Sequence, residues 1–141
     1  GACSSGGGSS VEQYEINAVI DKALDAFRAG HEDMLGSVLT TNVKLIETVG
    51  NLEASITGRD EVVAGLMTLR TGIETIHALS IHDRKITRSS NTAVVTGTFF
   101  LDATYYSFGQ NPRETTSEPW RIGFLRSNDQ WLIYELERTL D

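Results

Sequence analysis

The first half of the chain places its hydrophobic residues mostly at helical spacing. From Val11 onward, apolar side chains recur every three or four positions, which predicts an amphipathic helix closed by Gly30. A shorter helix follows with Glu32 and Asp33 in its first turn, where carboxylates favour the positive end of the helix dipole. Together the two segments predict a helical hairpin. Its predicted core positions are Ile16, Val19, Ile20, Ala23, Leu24, Phe27, Met34, Leu35, Val38 and Leu39.

The spacing then changes to alternation, which is typical of β-strands. Residues 41–49 and 52–57 predict two strands joined by a tight turn at residues 50–51. Thr57 and Asp60 lie three positions apart, resemble a capping box and predict the start of a third helix. Its predicted buried residues and its terminating glycine are Val62, Val63, Leu66, Met67, Leu69 and Gly72.

The second half of the chain alternates throughout. It predicts long strands over residues 75–87, 92–106, 115–126 and 131–139. The connections are short and rich in Gly, Asn, Ser and Asp, so an antiparallel meander is expected. This order predicts one α+β domain over residues 11–141, with N-terminal helices packed in the concave face of a curved, mainly antiparallel sheet. Such a cone-shaped arrangement leaves a cavity between the helices and the sheet.

Composition and charge narrow the class of partner. The chain has 141 residues, 40% of them hydrophobic, which suffices for one core. Its net charge is −7 and its Lys and Arg residues are scattered, so no surface for nucleic acid is expected. Apolar runs are far shorter than the roughly 20 residues that cross a bilayer, and no transmembrane helix is predicted.

Cys3 is the only cysteine of the sequence, which excludes an internal disulfide. The rest of residues 1–10 is Gly, Ser and Ala, a composition that predicts a flexible tether. A small residue before the cysteine and a Gly/Ser stretch after it resemble the processed junction of a bacterial lipoprotein, with the lipid on Cys3. This implies a periplasmic or extracellular domain of the cell envelope, attached to the membrane only through that lipid. The alternative is an expression remnant or artificial linker on a cytoplasmic domain.

Five short segments carry a family resemblance. They are LDAFRAG (24–30), TGRDE (57–61), IHA (76–78), NTAVV (91–95) and NDQWLI (128–133). Their order and spacing resemble the nuclear transport factor 2-like (NTF2-like) superfamily, which includes the SnoaL-like polyketide cyclases and ketosteroid isomerase. The resemblance covers nearly everything after residue 11 and implies a cystatin-like fold with a central cavity for a small molecule. None of the segments specifies an activity.

Glu47 is the first candidate catalytic residue. It shares strand parity with Val43 and Leu45, so it is predicted to point where apolar side chains point. A desolvated carboxylate can serve as a general base. The resemblance agrees, because Glu47 lies near the position of the catalytic carboxylate of ketosteroid isomerase. The tyrosine and aspartic acid of that oxyanion hole fall on Ala23 and Arg121, which disfavours the same isomerisation.

Arg121 is predicted to face inward, where an arginine requires an anion. That anion would be Glu47 in a buried ion pair, or the carboxylate or phosphate of a ligand. The other candidate ligand-binding residues are Phe27, Leu45, Met67 and Tyr134.

His77 is the second candidate base. Several members of the superfamily carry a histidine on this strand, and one of them acts in dehydration. A structural histidine is the alternative. His77 and His82 are five apart and project to opposite faces of a strand, so they cannot bind one metal. The sequence contains no metal or phosphate motif, and neither a metal nor a cofactor is expected.

The last two strands predict an apolar face. Alternation places five residues on it: Trp120, Ile122, Phe124, Trp131 and Ile133. If this face is convex, it is large enough to predict a homodimer. If it lines the pocket, Arg121 points outward instead.

Three functions are therefore considered. The first is a non-catalytic module that binds a small, largely apolar ligand, which the incomplete catalytic set favours. The second is a cofactor-independent cyclase, isomerase or dehydratase with Glu47 or His77 as its base. The third is a dimeric assembly subunit whose cavity is filled by its own side chains.

Overall fold

The computed structural model describes residues 10–140 and has the predicted order of elements. Its helices are α1 (Ser10–Ala29), α2 (Glu32–Gly36) and α3 (Arg59–Thr71). Its strands are β1 (Leu39–Val49), β2 (Leu52–Thr57), β3 (Ile73–Ser89), β4 (Thr92–Tyr105), β5 (Arg113–Ser127) and β6 (Gln130–Leu140). The predicted tether lies outside the described residues except for Ser10, where α1 begins.

The six strands form one sheet in the order β2-β1-β6-β5-β4-β3. Neighbouring strands are antiparallel except β1 and β6, which are parallel. Strands β3 to β6 form the antiparallel meander that the sequence predicts. Strand β6 pairs with β1 and so connects the meander to the β1–β2 hairpin. The connections of the meander contain residues with positive φ, among them Ser90, Asn111 and Asn128, and the two-residue turns that favour hairpins use this conformation.

The helices pack on one face of this sheet and form the core with it. Ile16 and Ile20 of α1 are buried there together with Phe124 and Ile133 of the sheet. The helical spacing of α1 is therefore a pattern of burial, and Gly30, at φ 70°, follows its last residue. No helix within residues 10–140 is long and apolar enough to cross a membrane.

Two predictions about the ends of helices are wrong. Gly58 is the N-terminal cap of α3, and no side chain caps that helix, because Thr57 remains in β2 and pairs with Lys44. The second helix is also shorter than predicted. It ends at Gly36, and Leu39 is already the first residue of β1.

The buried side of β5 is the side of Trp120, Ile122 and Phe124. Ile122 and Phe124 belong to the core, and Trp120 packs against it. Arg121 points to the opposite face, where it pairs with Glu135 at 3.2 Å. The prediction of an inward Arg121 is therefore wrong. The apolar face considered for a homodimer is the interior of the domain, so it gives no support to that dimer.

Candidate functional site

A cavity of about 170 Å³ lies between α1, α3 and the concave face of the sheet. The apolar stripe of α1 forms one wall, in which Ala23 is the smallest side chain and leaves space next to Ile20 and Phe27. Most of the remaining lining is Leu and Ile. Among the lining residues that the structure describes, four have polar side-chain atoms: Tyr105, Thr116, Trp120 and Arg138.

The cavity opens at one end of the sheet. Leu35, Leu39 and Ile133 line its inner end and are buried, whereas Leu69 at the other end is 51% exposed. Leu69 was predicted to be buried, and its exposure shows that the lining of the cavity reaches the surface at this end, which we call the mouth. The last residues of β4 and β6 and the first residues of β5 meet at this end.

Three charged side chains lie side by side at the mouth. The strand order β1-β6-β5 brings Glu47, Arg138 and Glu118 together. Nη1 of Arg138 donates to Oε2 of Glu47 over 3.0 Å, and Nε of Arg138 donates to Oε1 of Glu118 over 2.8 Å. We call these three residues the mouth cluster.

Glu118 is the most buried member of the mouth cluster. It is 6% exposed, and its Oε1 atom also accepts a 2.8 Å hydrogen bond from Nε1 of Trp120. Burial of a carboxylate is costly unless charged or polar donors satisfy it, and these two bonds do so. The Trp120 ring, fixed in this way, stacks on Phe99 with ring centroids 4.6 Å apart and forms a flat wall of the cavity.

Glu47 points to the predicted face of β1, but its partner differs from the prediction. The strand-parity argument placed it with Val43 and Leu45, and both of those residues are buried in the core. Its side chain is 39% exposed and pairs with Arg138 rather than with Arg121. Glu47 therefore lies at the mouth, within reach of solvent.

The five residues predicted to bind a ligand do not all line the cavity. Phe27 lines the cavity, whereas Leu45 and Met67 are core residues that do not. Tyr134 lies against Gly123, close to where a Cβ of that glycine would be, and so covers the outer face of the sheet together with Arg121. Of the five, only Phe27 is at the cavity.

His77 lies away from the cavity. It is exposed, and its Nε2 atom is 2.8 Å from the hydroxyl of Thr104. Asp102 is close by, where hydrogen bonds from Arg113 hold the pKa of its carboxyl below the usual value, with burial acting in the opposite direction. These residues form a polar cluster on the outer surface. Within residues 10–140 no group of three or more His, Cys, Asp or Glu side chains is arranged to hold a metal.

Glu118 and Arg138 do not stand out in the sequence. Glu118 shares parity with Trp120 and Ile122, so the correct choice of buried face on β5 would have found it. Arg138 is hidden by a bulge, because the β5–β6 register passes from Phe124–Ile133 to Gly123–Glu135 and leaves one extra residue in β6. Alternation counted from the start of β6 therefore points Arg138 to the wrong face.

The sequence itself matches no protein-family model and no curated protein. Solved structures match nearly the whole chain. A candidate dehydratase of the NTF2-like family from Streptomyces avermitilis is 16% identical, with a TM-score of 0.80 over 94% of this chain and 97% of that one. A candidate scytalone dehydratase from Novosphingobium aromaticivorans is 17% identical, with a TM-score of 0.77 over 91% and 83%.

A third match shares the fold without a known activity. It is a protein of unknown function with a cystatin-like fold from Nostoc punctiforme, 10% identical, with a TM-score of 0.75 over 94% of this chain and 93% of that one. The domain thus has the cystatin-like fold of NTF2-like proteins, as the sequence resemblance predicts. At these identities the likeness concerns the fold, and the activity has to be argued from the site.

Proposed function

We propose that this domain binds a small, largely apolar molecule in the cavity between its helices and its sheet. The observation that carries the proposal is a space of about 170 Å³ whose walls are almost entirely aliphatic and aromatic, with its few polar groups near one end. Binding sites for small molecules have this composition.

The volume limits the size of the ligand. An engineered apolar cavity of roughly 150 Å³ accommodates benzene, whereas sites for drug-sized ligands are about 300 Å³ or more. A ligand with one ring or a short branched chain therefore fits, and a four-ring steroid does not fit without movement of α3 or the mouth.

Benzene is a suitable first probe because it tests the cavity without the polar groups. A ligand that binds only the folded state raises the melting temperature with concentration. We expect saturating benzene to stabilise the wild type and to have no effect on Ala23→Phe, in which the new ring occupies the space. Ala18→Phe is the matched control, since Ala18 is on the exposed side of the same helix. No stabilisation of either wild type or control would refute the proposal.

A catalytic function is the second candidate, and the position of Glu47 favours it. This half-exposed carboxylate lies at the mouth, next to an arginine that lines the cavity. Two structures that share the fold are candidate dehydratases. Glu47 would be the base, and His77 would have no part because it lies on the outer surface.

Scytalone is the substrate with which to test this candidate. Loss of water from it, followed by mass spectrometry, should occur with the wild type and disappear in Glu47→Gln. His77→Gln should retain the activity. An inactive wild type would leave binding as the better account of the cavity.

We also propose that the domain is tethered through a lipid on Cys3 in the bacterial cell envelope. Cys3 lies outside the described residues, and the proposal rests on the Gly/Ser composition around it. Intact-mass measurement of the protein purified from its own host should show the added mass of a lipid. Cys3→Ser should abolish it, and an unmodified thiol in the wild type would exclude the anchor.

A further inference from the structure

The cavity has one charged group, and that group is already neutralised. Among the lining residues that the structure describes, Arg138 alone is charged. Its side chain is 16% exposed and donates to two carboxylates, one at 2.8 Å and one at 3.0 Å. A guanidinium would ordinarily favour a carboxylate or phosphate ligand. Here the carboxylates of Glu47 and Glu118 already bind the guanidinium, where a ligand anion would otherwise bind.

The charges of the mouth cluster sum to −1, because one guanidinium faces two carboxylates. Glu118 is almost entirely removed from water, so its negative charge is weakly screened on the cavity side. A ligand anion close to Arg138 would add a third negative charge around a single positive one. Like charges brought together in a desolvated site lower affinity strongly.

Hydrogen-bond donors nevertheless remain for a neutral ligand. Nη2 of Arg138 has no partner within residues 10–140, since its described bonds use Nε and Nη1. Tyr105 and Thr116, each with a hydroxyl group, also line the cavity. A carbonyl oxygen on the ligand can accept from such groups without bringing a charge.

We propose that the cavity selects an uncharged ligand carrying a carbonyl-type acceptor and discriminates against carboxylates of the same size. This inference rests on the proposed binding function and adds the chemical class of the ligand. The mouth cluster is the specificity-determining element, with Arg138 as the donor and Glu118 and Glu47 as the groups that exclude anions.

Three probes of equal heavy-atom count test the selection. Acetophenone, cumene and benzoate each have one benzene ring and differ in offering a carbonyl, no polar atom or a charge. Titration calorimetry at neutral pH should rank acetophenone first. Benzoate should bind at least about tenfold more weakly than acetophenone. Cumene should lie between them, since it loses one hydrogen bond, worth about fivefold.

A charge-matched pair of variants identifies the cause. Glu47→Gln removes one negative charge from the mouth cluster and should strengthen benzoate binding several-fold while leaving cumene unchanged. Glu135→Gln removes the same charge on the outer face, where Glu135 pairs with Arg121, and should leave all three affinities unchanged. Equal effects from both variants would mean that net charge, not the mouth cluster, controls selection.

The outcomes separate this inference from the binding proposal. If none of the three probes binds, the cavity is not a ligand site and the proposed function fails. If cumene and acetophenone bind but benzoate binds as tightly as acetophenone, the cavity is a ligand site and the selection against anions is refuted. If acetophenone gains nothing over cumene, the remaining donors do not contact the ligand, and the carbonyl preference is wrong.

Discussion

Glu118 holds two neighbours in place through a single oxygen atom. If it is replaced by alanine, Nε of Arg138 and Nε1 of Trp120 lose their acceptor in a buried setting. Arg138 keeps Glu47 as a carboxylate partner, so its charge stays paired, but a buried donor that loses its acceptor costs about 1–3 kcal/mol. Because two donors are affected, we expect Glu118→Ala to lower the free energy of unfolding by about 2–3 kcal/mol in a urea titration.

Glu135→Ala is the control for this variant. It breaks an arginine–carboxylate pair of the same type, but one that is open to solvent, and exposed pairs contribute less than about 1 kcal/mol. If the two alanine variants have the same stability, Glu118 is not a structural acceptor, and its burial needs another explanation.

Parity placed Glu47 on the correct face of β1, but it did not identify its partner. The orientation of Glu47 followed from counting along one strand. Its contact with Arg138 depends on β6 lying between β1 and β5, and no local pattern records that order. Arg121 was misplaced for a related reason. The face of β5 that carries Trp120, Ile122 and Phe124 is the more apolar one, but the sequence left open whether this face lines the interior or a dimer interface.

Strands β3 and β4 approach each other closely at Gly97. A Cβ placed on Gly97 would lie 2.9 Å from Cγ2 of Ile81 and 3.0 Å from the carbonyl oxygen of His82. The second contact is with backbone, so a side-chain rotation cannot relieve it. We expect Gly97→Ala to destabilise the domain by about 1–3 kcal/mol, as overpacking does.

Gly36→Ala is the matched substitution. A Cβ at Gly36 would meet nothing nearer than 3.6 Å, and Gly36 lies in α2, where alanine is the better helix former. Its melting temperature should be equal to the wild type or higher. A neutral Gly97→Ala would show that β3 moves away from β4 freely.

Salt bridges attach the first turns of α1 to the sheet. Glu12 accepts from Arg88 at 2.8 Å and from Arg126 at 3.1 Å, and both guanidinium groups lie over the ring of Trp131. The Gly/Ser-rich composition of residues 1–9 offers little apolar surface to bury, so their deletion is expected to leave the melting temperature unchanged. Deleting residues 1–13 removes Glu12 and should lower it by several degrees, since two arginines lose an acceptor. Differential scanning fluorimetry measures both melting temperatures. A lower melting temperature for the deletion of residues 1–9 would contradict the first expectation.

The order and type of the elements were predictable because each has a local cause. Amphipathic spacing produced α1 and α3, and the turn residues separated the strands of the meander. Element ends were less predictable. Thr57 has the residue type of a helix cap, but its pairing with Lys44 keeps it in β2. The bulge in β6 is likewise a consequence of packing, and it is what hid one residue of the candidate site.

Homodimer formation remains a prediction, but the face that suggested it is interior. Phe124 is fully buried, so Phe124→Glu should prevent folding, and it cannot be used to dissociate a dimer. An assembly function would require another surface. Sedimentation of the wild type at micromolar concentration measures the oligomeric state without that substitution.

The two ends of the domain are separated, which has a consequence for the proposed anchor. Glu12 contacts Arg88 and Arg126 near the turns that precede β4 and β6. The mouth lies at the opposite ends of β5 and β6, where Thr116 and Arg138 are found. Ten residues of strand span about 30 Å. A lipid on Cys3 would therefore attach the domain by the end remote from its mouth.

This arrangement predicts that the mouth is directed away from the membrane. The protein can be coupled through Cys3 to a maleimide lipid in nanodiscs that also carry a paramagnetic lipid. Relaxation of amide signals should then be stronger for the turns at residues 89–91 and 127–129 than for residues 106–112 near the mouth. The same coupling in nanodiscs without paramagnetic lipid provides the reference signals. Stronger relaxation of residues 106–112 would mean that the mouth faces the bilayer, and the ligand would then be taken from the lipid phase.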